Sequence, residues 1–214
     1  MRPNNVLGLI YSSSYEFAVN QMTNFRTIAS LPFGCRYRLI DFPLSNMVNA
    51  GISQVGIITK SNYRSLMDHI GSGRPWDLDR KKDGLFLLPP YSASELSAHS
   101  AENKIAALHS NMHFVERSNT EYVLLTDANS VYNFNFRDLM RFHEEKQADI
   151  TIAYKNGIVP DLPGIMKLKT ANDGKVDKIK TTQTHKKEKT DYSLNIMIMK
   201  SSLFKEITEE AYSK

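Results

Sequence analysis

Four short apolar segments, separated by longer polar stretches, constrain the fold of this chain most strongly. They are residues 6–11, 55–59, 122–126 and 149–154. Each is rich in β-branched or aromatic side chains and is apolar at nearly every position, which is typical of strands that are buried on both faces. Strands of this kind form parallel sheets that are covered by helices. We therefore predict a mostly parallel sheet at the centre of the fold.

Amphipathic segments lie between these predicted strands. Residues 62–70, 101–117 and 136–147 carry apolar side chains at three- and four-residue spacing, as a helix with one buried face requires. Alternation of strand and helix indicates βαβ units. The sequence thus predicts an α/β fold with helices on both faces of the sheet.

The pattern changes after residue 154. Residues 165–170 and 176–179 flank an Asn-Asp-Gly turn, so they predict a small antiparallel hairpin. Residues 193–199 predict another strand, and residues 202–212 predict a final helix. The segment between the hairpin and this strand, residues 181–191, is polar and rich in lysine, and we expect it to be an exposed, mobile loop.

Composition narrows the class of protein. A chain of 214 residues can bury one substantial core. Its single cysteine excludes an internal disulfide and favours a reducing cytoplasm. The net charge of +4 suits anionic metabolites but not nucleic acid, and there is no apolar run long enough to span a membrane. We expect a cytoplasmic protein that binds neither nucleic acid nor membrane.

Residues 32–52 carry the most specific motif. They read P-F-G-C-R-Y-R-L-I-D-F-P-L-S-N-M-V-N-A-G-I, which resembles the P-F-G-G-K-Y-R-L-I-D-F-P-L-S-N-x-x-N-S-G-I stretch of the ADP-glucose pyrophosphorylases (glucose-1-phosphate adenylyltransferases). Residues 70–80 and 87–91 resemble two further motifs of bacterial members. The resemblance covers nearly the whole chain. It implies a Rossmann-like (GT-A-like) nucleotidyltransferase domain over residues 1–214. In the family a left-handed β-helix follows this domain, and we expect it to be absent from this chain because no hexapeptide repeat occurs before Lys214.

The phosphate-binding positions of catalytic relatives hold other residue types in this chain. A gap-free register places Ser13, Ser14 and Glu16 at the glycines of G-G-x-G-x-R, Ala18 at its arginine, Ile28 at the lysine of R-A-K-P, and Arg26 at the arginine before that lysine. The carboxylate of Glu16 would be repelled by a triphosphate by on the order of a kcal/mol, and Ala18 and Ile28 replace cations that stabilise phosphoryl transfer. The alternative is a loop that binds phosphate through serine hydroxyls.

The metal-binding and base-binding positions also differ. Alignment on Tyr132 places Asn129 at the aspartate of the family's G-D-H motif, and an amide is a poor replacement for a carboxylate at Mg²⁺. Asp127 lies two residues earlier and could replace that aspartate if the loop shifted; a turn-capping role is the alternative. Asn103 corresponds to the glycine of the W-Y-x-G-T-A motif, which lines the nucleotide in the family.

These departures resemble the non-catalytic, D-type subunit of the bacterial enzyme. The resemblance implies a regulatory, catalytically inactive subunit of glucose-1-phosphate adenylyltransferase, which makes ADP-glucose and pyrophosphate from ATP and glucose-1-phosphate in glycogen biosynthesis. It also implies a hetero-oligomer, a tetramer, with the catalytic subunit. We expect this chain to bind no cofactor, and Mg²⁺ to be held by the catalytic partner. Two alternatives stay open: an active adenylyltransferase with an atypical phosphate loop, and a module that binds a sugar-phosphate effector.

Overall fold

The computed structural model describes residues 1–13, 19–59, 62–89, 104–182 and 188–214. The chain forms two compact units, residues 1–151 with 198–214 and residues 152–197. The strands are β1 (Val6–Tyr11), β2 (Pro32–Phe33), β3 (Tyr37–Arg38), β4 (Gln54–Ile58), β5 (Gly84–Leu88), β6 (Tyr122–Asp127), β7 (Ile150–Ile158), β8 (Met166–Thr170), β9 (Val176–Thr181) and β10 (Lys189–Lys200). The helices are α1 (Asn20–Thr23), α2 (Asp41–Asn49), α3 (Arg64–Ile70), α4 (Lys104–Ser110), α5 (Met112–Ser118), α6 (Phe136–Lys146) and α7 (Ser201–Ser213).

The first unit is organised around β1, which is buried at every position. On one edge β1 pairs in parallel with β4, and on the other edge it pairs in parallel with β6. The strand β5 adds to the far edge of β4, also in parallel. The sheet order in this unit is therefore β5-β4-β1-β6, which confirms the predicted parallel sheet.

Helix α2 packs closely against β1 because Gly8 has no side chain. A Cβ atom at Gly8 would lie 2.5 Å from the sulfur of Met47, closer than real Cβ contacts. Met47 itself is fully buried. The backbone of β1 and the helix that carries the family motif are thus held together at one glycine.

The parallel sheet differs from its sequence prediction in one strand. The predicted fourth strand, residues 149–154, is the longer β7, and it pairs with β10. The fourth parallel strand is β5, which the sequence did not predict. Its five residues directly precede Pro89 and, unlike those of the other parallel strands, include no β-branched side chain.

Of the helix predicted over residues 101–117, residues 101–103 lie outside the described residues, and the remainder is divided in two. Helix α4 ends at Ser110, and α5 begins at Met112. Between them, the side-chain amide nitrogen of Asn111 donates to the backbone oxygen of Ala107 at 2.9 Å. Asparagine side chains compete in this way with the backbone hydrogen bonds of a helix. The spacing of apolar residues does not reveal such a break, and it therefore predicted one helix.

The second unit contains the predicted antiparallel hairpin. Strands β8 and β9 pair from Met166↔Thr181 to Thr170↔Val176, and β10 pairs antiparallel to β8. The turn uses Gly174 at φ +86°. Strand β10 begins at Lys189, so the loop predicted over residues 181–191 is shorter than expected; residues 183–187 lie outside the described residues.

Among the described residues, no helix is both long and apolar enough to cross a membrane.

Gly84 and Gly71 provide a matched test of the packing at the start of β5. Both have positive φ, but a Cβ at Gly84 would lie 2.4 Å from the backbone oxygen of Leu78, whereas one at Gly71 would meet nothing within 4 Å. We expect Gly84→Ala to lower the free energy of unfolding by about 3 kcal/mol and Gly71→Ala by about 1 kcal/mol. Urea denaturation measures both, and equal losses would contradict the steric argument.

Candidate functional site

The carboxyl ends of three parallel strands meet at one edge of the sheet in the first unit. Tyr11, the last residue of β1, is in register with Ile58 on β4 and with Asp127 on β6. The backbone continues this arrangement past the strand ends, since the amide of Ser12 donates to the oxygen of Ile58 at 3.0 Å. Open α/β sheets bind ligands at this edge. The candidate site therefore lies where β1, β4 and β6 end.

Of the predicted phosphate loop, which begins at Ser13, the structure describes Ser13 alone. Its neighbour Ser12 precedes the loop at the end of β1. Both are buried, and their hydroxyl oxygens lie 3.3 Å apart. Three further predicted loop positions, Ser14, Glu16 and Ala18, lie outside the described residues. Their predicted roles stay predictions.

Ile28, which the gap-free register predicts at the position of the family's lysine, is part of the protein core. It is 6% exposed and begins a short 3₁₀ helix, Ile28–Ser30. The turn is fixed to the end of β1, because the amide of Ala29 donates to the oxygen of Ser12 at 3.4 Å. A buried position of this kind accepts an apolar side chain and disfavours a charge. Arg26, the retained arginine, is half-buried two residues earlier.

Asp127 lies at the end of β6 and forms an ion pair with Lys104. The aspartate side chain is 2% exposed and the lysine side chain 26%. The ammonium group of Lys104 also lies 5.4 Å from the centre of the Tyr11 ring, a cation–π distance. The carboxylate of Asp127 is thus neutralised inside the site by a lysine.

Sequence reasoning considered Asp127 as a metal ligand or a turn cap and missed its lysine partner. No local pattern links the two residues, because they are 23 positions apart in the chain and the pair forms only when α4 lies beside the end of β6.

Asn129, which the sequence comparison predicts at the family's metal-binding aspartate, is half-buried. Its side-chain oxygen accepts a hydrogen bond from the hydroxyl of Ser130 at 3.2 Å. Within the described ranges, no three His, Cys, Asp or Glu side chains are grouped to hold a metal ion. A neutral amide beside a carboxylate that already binds an ammonium does not fit Mg²⁺, which prefers anionic oxygen ligands. Asn103 lies outside the described residues.

A half-buried tyrosine, Tyr132, completes this part of the site. The hydroxyls of Thr126 and Tyr132 lie 2.8 Å apart. Burial raises the pKa of Tyr132 well above its usual range, with the charge of Asp127 as a further contribution. Tyr132 is therefore a neutral hydrogen-bonding group at any physiological pH.

Polar side chains of the motif over residues 32–52 form hydrogen bonds that hold elements of the fold together. The backbone amide of Arg38 donates to Asp41 at 2.9 Å, and Asp41 also contacts the ring of His69 at 2.6 Å. The guanidinium of Arg38 donates to the backbone oxygen and hydroxyl of Ser65, both at 2.7 Å. These bonds connect the start of α2 with α3.

Asn46 connects the same motif with the segment after β6. Its amide nitrogen donates to the backbone oxygens of Phe42 at 2.7 Å and Tyr132 at 2.9 Å. Its side-chain oxygen accepts from the backbone amide of Phe134 at 3.1 Å. Two of these hydrogen bonds join α2 to the segment after β6, and the bond to Phe42 lies within α2, so both the donor and the acceptor group of this buried amide have partners.

Comparison with known proteins agrees with this fold. The sequence profile described as "Nucleotidyl transferase" matches residues 22–192. A solved structure described as a glucose-1-phosphate thymidylyltransferase from Bacillus anthracis, in complex with a sucrose, superposes with a TM-score of 0.73 over 95% of this chain and 75% of that chain. The two sequences are 15% identical, so this likeness concerns the fold alone.

Curated relatives carry two descriptions. The glycogen biosynthesis protein GlgD of Bacillus subtilis (strain 168) is 39% identical over 155 residues, 72% of this chain and 44% of the relative. A glucose-1-phosphate adenylyltransferase of Clostridium perfringens (strain SM101 / Type A) is 31% identical over 210 residues, 98% of this chain and 54% of the relative. The adenylyltransferase of Clostridium kluyveri is 43% identical over 124 residues, 58% of this chain and 32% of the relative. The chain thus spans about half the length, or less, of these relatives.

Removal of the lysine partner tests the ion pair in the site. We expect Lys104→Met to lower the free energy of unfolding by about 3 kcal/mol, because it leaves the buried carboxylate of Asp127 without its cation. The double variant Lys104→Met with Asp127→Asn should recover part of that loss, since the charge is then removed as well. Denaturant unfolding of the single and double variants measures the coupling. Additive losses would contradict the pair.

Ile28→Lys tests whether position 28 can hold the cation of catalytic relatives. We expect a loss of about 3 kcal/mol in the free energy of unfolding, since the new charge enters a buried position. Ile28→Leu is the matched control and should cost about 1 kcal/mol. Thermal unfolding compares the two variants, and a stable Ile28→Lys protein would show that this side chain can reach solvent or an anion.

Proposed function

The chain belongs to the nucleotidyl transferase family, and within that family we propose that it acts in glycogen biosynthesis as a regulatory, catalytically inactive subunit of glucose-1-phosphate adenylyltransferase. Its partner would be the catalytic subunit, in a hetero-oligomeric tetramer. Similarity to the GlgD proteins and to the adenylyltransferases supports the pathway. The chain's own residues support the loss of catalysis.

The ion pair between Asp127 and Lys104 carries this proposal. Asp127 is the carboxylate at the end of β6, two residues before the position at which the family holds its metal, and it is buried. A metal ion would have to displace the ammonium of Lys104 from it. The position itself carries Asn129, whose amide cannot supply a negative charge. Adenylyl transfer depends on cations that stabilise the charge developing in the transition state. An asparagine in place of the metal-binding aspartate therefore raises the activation barrier.

The buried state of Ile28 supports the same conclusion. Catalytic relatives place a lysine at this position, and here the side chain is part of the core beside the end of β1. Arg26 remains and is half-buried. A single retained arginine neutralises less of the charge on a nucleoside triphosphate and its leaving pyrophosphate.

The β2–β3 hairpin has features of a surface that contacts a partner protein. Phe33 and Tyr37 lie on it and are about half exposed, and both rings contact Phe42. Exposed aromatic side chains held in place by packing are typical of protein interfaces.

The active enzyme with an atypical loop is the second candidate. The hydroxyls of Ser12 and Ser13 lie together at the end of β1 and favour it, because hydroxyl groups at that edge can donate hydrogen bonds to phosphate. A sugar-phosphate effector module is a third possibility. The loop and turn residues that separate the three are Ser14, Glu16, Ala18 and Asn103, which lie outside the described residues.

Synthesis of ADP-glucose from ATP and glucose-1-phosphate with Mg²⁺ separates the first two candidates. We expect no turnover by the chain alone, and a changed rate or effector response when it is mixed with a catalytic glucose-1-phosphate adenylyltransferase subunit. Calorimetric titration with ATP and Mg²⁺ should show no saturable binding.

The Asp127→Asn variant, prepared identically, is the control for contaminating enzyme. A contaminant gives the same background in both preparations. Turnover by the wild-type chain that is lost in the variant would establish the active enzyme and overturn the regulatory proposal. Saturable binding of a sugar phosphate without turnover, and without an effect on the catalytic subunit, would instead favour the effector module.

A further inference from the structure

A basic cleft lies on one face of the sheet in the second unit. Its volume is about 590 Å³, within the size range of small-molecule sites. Residues of β8, β9 and β10 line it. They include four lysines, Lys167, Lys169, Lys178 and Lys180, together with Thr181, Thr182, Glu188 and Thr190.

The strand register places these lysines directly opposite one another. Lys167 pairs with Lys180, and Lys169 pairs with Lys178. Cβ atoms of directly opposed residues lie roughly 5 Å apart, so each pair brings two positive charges together. Side chains at alternate positions of a strand share a face, and all four lysines therefore lie on the same face of the hairpin. Like charges in this arrangement are unfavourable for the sheet.

The cleft contains too little negative charge to balance its lysines. Glu188 accepts a hydrogen bond from Lys167 at 2.6 Å. For Lys169, Lys178 and Lys180, no carboxylate partner occurs in the part of the chain that the structure describes. Four lysines against one glutamate give the lining a formal charge of +3.

We propose that this cleft binds an anion with several phosphate groups, which bridges the two lysine pairs. Lysine ammonium groups bind phosphate as point charges from any direction. The two pairs are two residues apart along each strand, about 7 Å, so an anion with several phosphate groups is long enough to contact both pairs at once. Such an anion also carries more charge to place against the four lysines than a single phosphate does. The site is in the second unit and does not depend on the proposed regulatory role.

Inorganic tripolyphosphate is the probe, with orthophosphate as the short comparison. In calorimetric titration at low salt, we expect saturable one-to-one binding of tripolyphosphate to the wild-type chain and at least tenfold weaker binding of orthophosphate. Affinity should fall as salt is added, because the contacts are between partly exposed charges. Absence of saturable tripolyphosphate binding, or equal affinity for orthophosphate, would overturn the proposal.

Lys169→Glu separates ligand binding from folding. It replaces a repulsive pair with an attractive one opposite Lys178, so the thermal midpoint should stay equal or rise. It also lowers the charge of the lining from +3 to +1, so tripolyphosphate should bind at least tenfold more weakly. The midpoint of the wild-type chain should rise with tripolyphosphate, and that of the variant should not.

Lys155→Glu is the matched control. Lys155 is exposed on β7 and does not line the cleft, and the substitution changes the net charge of the chain by the same amount. Its affinity for tripolyphosphate should lie within twofold of the wild-type value. An equal loss in Lys155→Glu and Lys169→Glu would show that overall charge, and not this cleft, holds the anion.

Discussion

Complete burial of β1 is the constraint on which the first unit depends. This strand is bonded on both edges and leaves no backbone group for water, so β4 and β6 must lie beside it in parallel register. Gly8 lets α2 approach to a distance that no side chain would permit. These two packing requirements bring the ends of three strands together and so create the edge at which the candidate site lies. The site is a consequence of the sheet, since Ser12 and Asp127 are placed by backbone pairing.

The family motif is retained here because the fold needs it. Arg38, Asp41 and Asn46 use their polar groups to bind the start of α2 to α3 and to the segment after β6. Buried polar groups that lose their partners cost free energy, so these side chains are fixed by structure whether or not the site is catalytic. The motif therefore indicates the fold of the chain, and it is compatible with the residue types found at the predicted site positions Ile28 and Asn129.

The chain balances charge differently in its two units. Asp127 is buried, and its charge requires a partner, which Lys104 supplies. The lysines of the β8–β9 hairpin are mostly exposed, so water screens their repulsion and the fold tolerates more lysines than carboxylates in the cleft. An uncompensated charge can persist only at such exposed positions, and it is there that an external anion can bind. Burial thus decides which charges are part of the structure and which are available to a ligand.

The sequence by itself determined the class of fold and most of its elements. Apolar runs predicted β1, β4 and β6, the Asn-Asp-Gly turn predicted the hairpin, and the motif over residues 32–52 predicted the family, because local period and turn chemistry are properties of neighbouring residues. Only the tertiary structure decided which strand completes the parallel sheet, since β5 is a short edge strand whose place depends on β4. It alone joined Lys104 to Asp127, which are far apart in sequence, and opposed Lys169 to Lys178, which requires the hairpin register. Pairings of this kind depend on how the elements pack, and no local pattern records them.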